Sequence, residues 1–210
     1  MRFYPQILKS IYFSLLYLIT CQFAVAAGMD PEKSQPEYRH GFYGGVGFVG
    51  IDEDKAFEQG VDDSAIIFDI GYIGTVGDHF SFLAGIYIPL IDDEDQFSQT
   101  VENNFGGDIS NESSDISAWG ILLEASGRLP LNDVVSLGGA VGMRTLTADR
   151  EIAYCSDCYS EDIDLDGGSY MRPYLSIRTS HMFSFEISYI SFFSGDFTDG
   201  PQANFVWSIW

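Results

Sequence analysis

The reactive side chains of this sequence gather in a few short stretches. Cys155-Ser156-Asp157-Cys158 sets two thiols three residues apart in a polar segment. In an exported chain a pair this close is most simply a disulfide. A zinc site would need two more ligands and no histidine is near, and a redox-active pair normally sits at a helix start. A Cys155–Cys158 bond closes a very short loop, so it is expected to shape a loop tip and add little global stability. Just downstream, Asp162-Ile163-Asp164-Leu165-Asp166-Gly167-Gly168 resembles the opening of a calcium loop. The twelfth position, where an EF-hand carries a bidentate Glu, is Pro173. Asp162, Asp164 and Asp166 are therefore read by default as solvated acids, with a loose Ca2+ site as the alternative, and no other cofactor is expected. Histidine, the usual general base near neutral pH, occurs at His40, His79 and His181.

A second set of ionisable residues lies inside segments where apolar and polar side chains alternate. Asp69, Glu124, Arg128, Arg144, Arg172, Arg178 and Glu186 all occupy the less apolar parity of their segments. One such segment sets Trp119, Ile121, Leu123, Ala125 and Leu129 against Gly120, Leu122, Glu124, Ser126 and Arg128. Another sets Phe183, Phe185, Ile187 and Tyr189 against Ser184, Glu186 and Ser188. Three acids and four arginines on one face are nearly balanced, and can satisfy one another through charge-assisted hydrogen bonds. The chemistry expected of them is a structural charge network.

Period-two alternation is the signature of β-strands. It recurs in eight segments: residues 39–51, 65–74, 79–90, 117–131, 134–148, 170–179, 182–193 and 203–210. Most are long enough for a tilted strand to cross a bilayer. No helical periodicity accompanies them. A soluble sandwich would bury the apolar face and expose the charges. A small membrane barrel turns the apolar face to lipid and fills its interior with polar and small side chains. The connections alternate in length. Short turns join the second and third segments, the fourth and fifth, and the sixth and seventh. Long polar links span residues 52–64, 91–116, 149–169 and 194–202. These long links hold 23 of the 31 acidic residues, opposed by Lys55 and Arg150. The fold expected is an all-β, eight-stranded antiparallel up-and-down transmembrane barrel over residues 38–210.

Residues 1–27 read as a cleaved signal peptide: Arg2 and Lys9, an apolar run, then Ala24-Val25-Ala26-Ala27. An uncleaved anchor and a lipoprotein signal at Cys21 are the rival readings. Residues 28–37 are a polar, proline-containing lead-in expected to be flexible. Without residues 1–27 the chain carries 8 basic against 31 acidic residues, a net charge of −23. Such a charge repels phosphate backbones and argues against nucleic acid as a partner.

The opening strand Gly41-Phe42-Tyr43-Gly44-Gly45-Val46-Gly47-Phe48 and the closing Phe205-Val206-Trp207-Ser208-Ile209-Trp210 resemble the small OmpA/OmpX-type outer-membrane barrels. The resemblance covers residues 38–210. It implies that Trp210 is the terminal aromatic of an assembly signal, although Ser208 interrupts the usual alternation. It also implies an outer-membrane location, lipid and lipopolysaccharide as surroundings, contact with the barrel assembly machinery, and a monomer. With the first strand rising from the periplasm, Phe42, Tyr72, Phe80, Phe82, Phe183, Phe185 and Trp207 fall toward the periplasmic rim. Trp119, Tyr170, Tyr189 and Phe193 fall toward the outer rim.

This topology puts all three histidines at the periplasmic rim, away from outer-leaflet substrates, so no catalytic residue is assigned. The function expected is a structural or surface-exposed barrel with acidic outer loops and no open pore. The alternatives are an adhesin working through those loops and, less favoured, an outer-leaflet lipid-modifying enzyme.

Overall fold

The computed structural model describes residues 38–77, 79–102, 109–152 and 158–209. The expected signal peptide and lead-in, Cys155 and Trp210 lie outside them. So, therefore, do the expected Cys155–Cys158 bond and the terminal assembly signal.

Eight long strands carry the apolar alternation: β1 (Tyr38–Gly50), β2 (Val61–Val76), β3 (Phe80–Asp93), β6 (Asp115–Pro130), β7 (Val135–Arg144), β10 (Gly168–Arg178), β11 (Phe183–Phe192) and β12 (Gly200–Ile209). Each pairs antiparallel with its chain neighbours, and β1 pairs with β12 from His40↔Ile209 to Gly47↔Gln202. The sheet therefore closes on itself, which leaves no barrel strand with an unpaired edge. Closure fixes which parity faces inward. Ile70, Phe82, Ile121, Leu137 and Ile187 point outward and are about half exposed, whereas Asp69, Arg144 and Arg172 are at most 4% exposed. That inversion suits a hydrocarbon exterior and is opposite to a soluble sandwich.

The remaining elements decorate the long-link end. The first link contains α1 (Glu53–Gln59), a helix the absence of helical periodicity did not predict. Its cause is capping. The Asp52 carboxylate accepts hydrogen bonds from the Asp54 and Lys55 amides, and Glu53 and Asp54 lie in the first turn. Gly60, at φ 63°, ends the helix in the left-handed conformation. The second link carries the hairpin β4 (Ser98–Glu102) and β5 (Ile109–Ser113). The fifth predicted segment, 134–148, is not one strand. It ends at Arg144, and β8 (Thr147–Glu151) resumes it beyond the break, pairing with the start of β6 and with β9 (Ser160–Asp162). The Thr145 amide and hydroxyl both bond Ile121 at the break.

The lumen is layered. Its long-link end is apolar: Val49, Ile67, Ile91, Leu122 and Ile190 pack with Ile163, Leu165 and Phe197 from the links. This corrects the expectation of a polar, small-residue interior, which applies to the rest of the lumen only. The links supply a core of their own that closes this end. In the third link Asp162, Asp164 and Asp166 are exposed while Ile163 and Leu165 between them are buried. The alternation that resembled a calcium loop thus has apolar anchoring as its structural counterpart.

Candidate functional site: the lumen charge network and the outer cap

Two ion-pair systems fill the middle of the barrel. Arg144 on β7 bonds Asp69 on β2 through two parallel contacts, Nη1–Oδ1 at 2.9 Å and Nη2–Oδ2 at 2.8 Å. Arg172 on β10 grips Glu124 on β6 through Nε–Oε2 at 3.0 Å and Nη2–Oε1 at 2.7 Å. Its Nη1 also reaches Glu186 Oε2 on β11 at 3.2 Å. Fork geometry of this kind is the strong form of the arginine–carboxylate pair, and arginine suits burial better than lysine.

Tyrosines complete the network. The Tyr170 hydroxyl donates to Glu124 Oε2 at 3.0 Å. Arg144 lies 4.7 Å from the Tyr87 ring centroid and 5.4 Å from that of Tyr170. Arg172 lies 5.1 Å from Tyr174 and 5.8 Å from Tyr43. Gln202 donates to Asp69 Oδ2. Asn204, oriented to suit its neighbours, donates to Tyr43 Oη at 2.7 Å and accepts from Arg172 Nη1 at 2.9 Å. Every barrel strand except β3 thus contributes a charged or amide group or a tyrosine hydroxyl at this level, and β3 contributes the Tyr87 ring. Glycines make room: an added Cβ at Gly138 would strike the Tyr174 ring, and one at Gly142 would strike Tyr170.

Tyr170 corrects the aromatic-belt expectation. It is fully buried in the lumen instead of sitting at the outer rim, because it shares the parity of Arg172. Trp119, Tyr189 and Phe193 do point outward. At the opposite end Phe42, Trp207, Phe183 and Phe205 form a continuous outward cluster, with centroids 5.3–6.0 Å apart.

Of the seven predicted network residues, the structure joins Asp69, Glu124, Arg144, Arg172 and Glu186 directly. Arg128 and Arg178 lie toward the short-turn end and line a cavity there with Glu124, Glu186 and Arg172. His181 lines the same mouth, His40 is exposed at the start of β1, and His79 is exposed in the turn before β3. No group of three metal-ligating side chains is gathered among the described residues, so Asp162, Asp164 and Asp166 are not brought into one site.

The outer cap has its own node, which the sequence reading did not single out. Arg150, 4% exposed, donates to Asp93 Oδ1 (2.9 Å), Glu161 Oε2 (2.9 Å), and the carbonyls of Gln59 (2.7 Å) and Gly60 (3.0 Å). The Ser114 hydroxyl donates to Asp93 Oδ2 at 3.1 Å. One guanidinium therefore ties the first, second and third links together. Arg150→Gln is expected to make local opening of the cap easier by about 1.5–3 kcal/mol, the worth of a charge-assisted bond. Limited proteolysis would read this as faster cutting in the links with unchanged heat-modifiable migration of the barrel.

Asp149 and Asp162 face each other across β8 and β9. Burial first, then the hydrogen bond to Asp162 and the charges of Asp162 and Glu151, raise the Asp149 carboxyl above the usual range. A carboxyl that binds its proton more tightly when folded adds stability below its unfolded pKa, about 3.9. That contribution disappears as pH rises through the raised folded value. Proteolysis of the third link should accordingly be slower in mildly acidic buffer than at neutral pH, and Asp149→Asn should remove the difference.

A closed antiparallel barrel with an apolar exterior and a charged interior defines a transmembrane β-barrel. No protein-family model and no curated protein matches the sequence. Solved structures do match. Neisserial surface protein A aligns over 83% of this chain and 99% of its own, at 6% identity and a TM-score of 0.50. Ail, the attachment invasion locus protein of Yersinia pestis, crystallised with the heparin analogue sucrose octasulfate, aligns over 84% of this chain and 100% of its own, at 13% identity and a TM-score of 0.47. In fold, the chain is a closed, eight-stranded antiparallel barrel similar to that of Neisserial surface protein A.

Proposed function

We infer that this protein is a non-conducting outer-membrane barrel that displays an ordered acidic cap at the cell surface. The observation that carries the reading is the double closure of the lumen, by buried ion pairs at mid-height and by an apolar plug beneath the links. A water-filled path would have to break both. The acidic links then face outward and the short turns face the periplasm. Residues 1–27 direct export, Trp210 serves assembly, lipid and lipopolysaccharide surround a monomeric barrel, and Cys155 bonds Cys158 at the tip of the third link. The exposed histidines at the short-turn end support a role other than outer-leaflet catalysis. Planar-bilayer recordings should show no stable channel, and protease added to whole cells should cut the links only. Steady conductance through the purified protein would refute the reading.

The ordering of the cap favours a second reading, an adhesin or binding module. Arg150 holds three links in one arrangement, which lowers the entropy that a ligand must overcome. The net charge selects cationic over polyanionic partners. Exchange of the links for short turns should abolish attachment of expressing cells if this reading holds, and leave it unchanged if the role is purely structural.

A further inference from the structure

An apolar groove is cut into the outward wall where β2, β3, β6 and β7 run side by side. Register sets two rows across these strands, Tyr72–Ala84–Leu123–Met143 and Gly74–Phe82–Ala125–Val141. Within them Gly74, Ala84 and Ala125 are diagonal neighbours. Beside them stand Tyr72, Phe82, Leu123 and Met143, 47–61% exposed. Leu83, Glu124 and Gly142 also line the groove, yet their parity faces the lumen, so their main chain forms its floor. A Cβ at Gly74 would meet nothing within 4 Å. The hollow holds about 550 Å³, inside the range of roughly 300–1,000 Å³ typical of small-molecule sites.

The dimensions select the occupant. Three interstrand spacings give a length of about 14 Å, and one two-residue step along a strand gives a width of about 7 Å. One leaflet of a ~30 Å hydrocarbon core is about 15 Å deep. An α-helix, about 10–12 Å across with its side chains, is too broad to enter. A second barrel presents a convex wall and meets the rims only. The groove is continuous with the apolar wall that carries Ile70, Ile121 and Leu137, the face this fold turns to hydrocarbon.

We propose that the groove seats one acyl chain of a phospholipid as a retained lipid. The chain belongs to the leaflet beside the short turns, because β2 ends at Val76, two residues past Gly74. The inference rests on the transmembrane reading above, and in that orientation the leaflet is periplasmic. Inside a bilayer an apolar wall gives a lipid tail no hydrophobic driving force, so dispersion contact on several sides holds the chain. The small side chains of Gly74, Ala84 and Ala125 let it approach the main chain, and the rings of Tyr72 and Phe82 flank it.

The test places the full barrel in phosphatidylethanolamine vesicles containing a phosphatidylcholine with a mid-chain diazirine. Adducts are mapped by peptide mass spectrometry after illumination. Peptides carrying Ala84 and Ala125 should be labelled several-fold more than those carrying Ile187 and Phe205 on the other side of the barrel. Ala84→Leu with Ala125→Leu fills the groove and should bring the two sides level, with heat-modifiable migration unchanged. Mass spectrometry of the unaltered protein in mild detergent should show one retained phospholipid. Equal labelling of both sides in the unaltered protein would overturn the proposal and leave the transmembrane reading intact. Absence of label from either side would overturn both. Dimers crosslinked through the groove in place of lipid adducts would assign it to a second copy and also overturn the proposal.

Discussion

Arg172→Leu is expected to destabilise the barrel by about 3–5 kcal/mol, the cost of breaking a buried pair from one side. The substitution removes the only cation bonded to both Glu124 and Glu186 in the described residues, and both carboxylates remain buried. Tyr170 still donates to Glu124, but a neutral hydroxyl does not replace a bidentate guanidinium. Urea unfolding in phospholipid vesicles measures the change. Glu124→Gln and Glu186→Gln, added to Arg172→Leu, should recover most of the loss, because the triple variant leaves no stranded charge. A parent-like midpoint for Arg172→Leu alone would mean that the carboxylates are solvated and the lumen is open.

The second large effect is steric. Gly138 and Tyr174 face each other across β7 and β10, and the ring occupies the volume a side chain at 138 would need. Gly138→Ile should cost about 3 kcal/mol, the upper end of the overpacking range, and delay appearance of the heat-modifiable form. Tyr174→Ala in the same chain frees that volume and should restore much of the stability. The Tyr174 hydroxyl bond to the Gly127 carbonyl, 3.4 Å, is lost in the double variant and limits the recovery. A Gly138→Ile barrel as stable as its parent would show that the ring does not pack over β7.

Alternation placed Glu124 and Arg172 on the inner face because closure of a barrel turns parity directly into inside and outside. The same rule put Tyr170 inside, two residues from Arg172, yet its aromatic character suggested the belt. Parity was the stronger signal, since a strand cannot rotate one side chain against its neighbours. Gln202 and Asn204 share a parity too, but the aromatics Phe205 and Trp207 dominate the pattern of β12. The cap escaped for a different reason. The links are strongly acidic, and Ile163, Leu165 and Phe197 stand singly beside aspartates with no apolar run to mark them. α1 has too few residues to show a period, although Asp52 and Gly60 mark both its ends. Arg150 was visible only as a lone cation among carboxylates, and its four partners come from distant points in the chain.

On β6 the odd-numbered positions meet hydrocarbon and the even-numbered ones meet the lumen. Spin labels placed singly at positions 119 to 123 and at 125, in a background with Cys155 and Cys158 replaced by serine, test it in lipid vesicles. Collision with lipid-dissolved oxygen should be high at 119, 121, 123 and 125 and low at 120 and 122. A flat profile, or one with the opposite phase, would contradict the account.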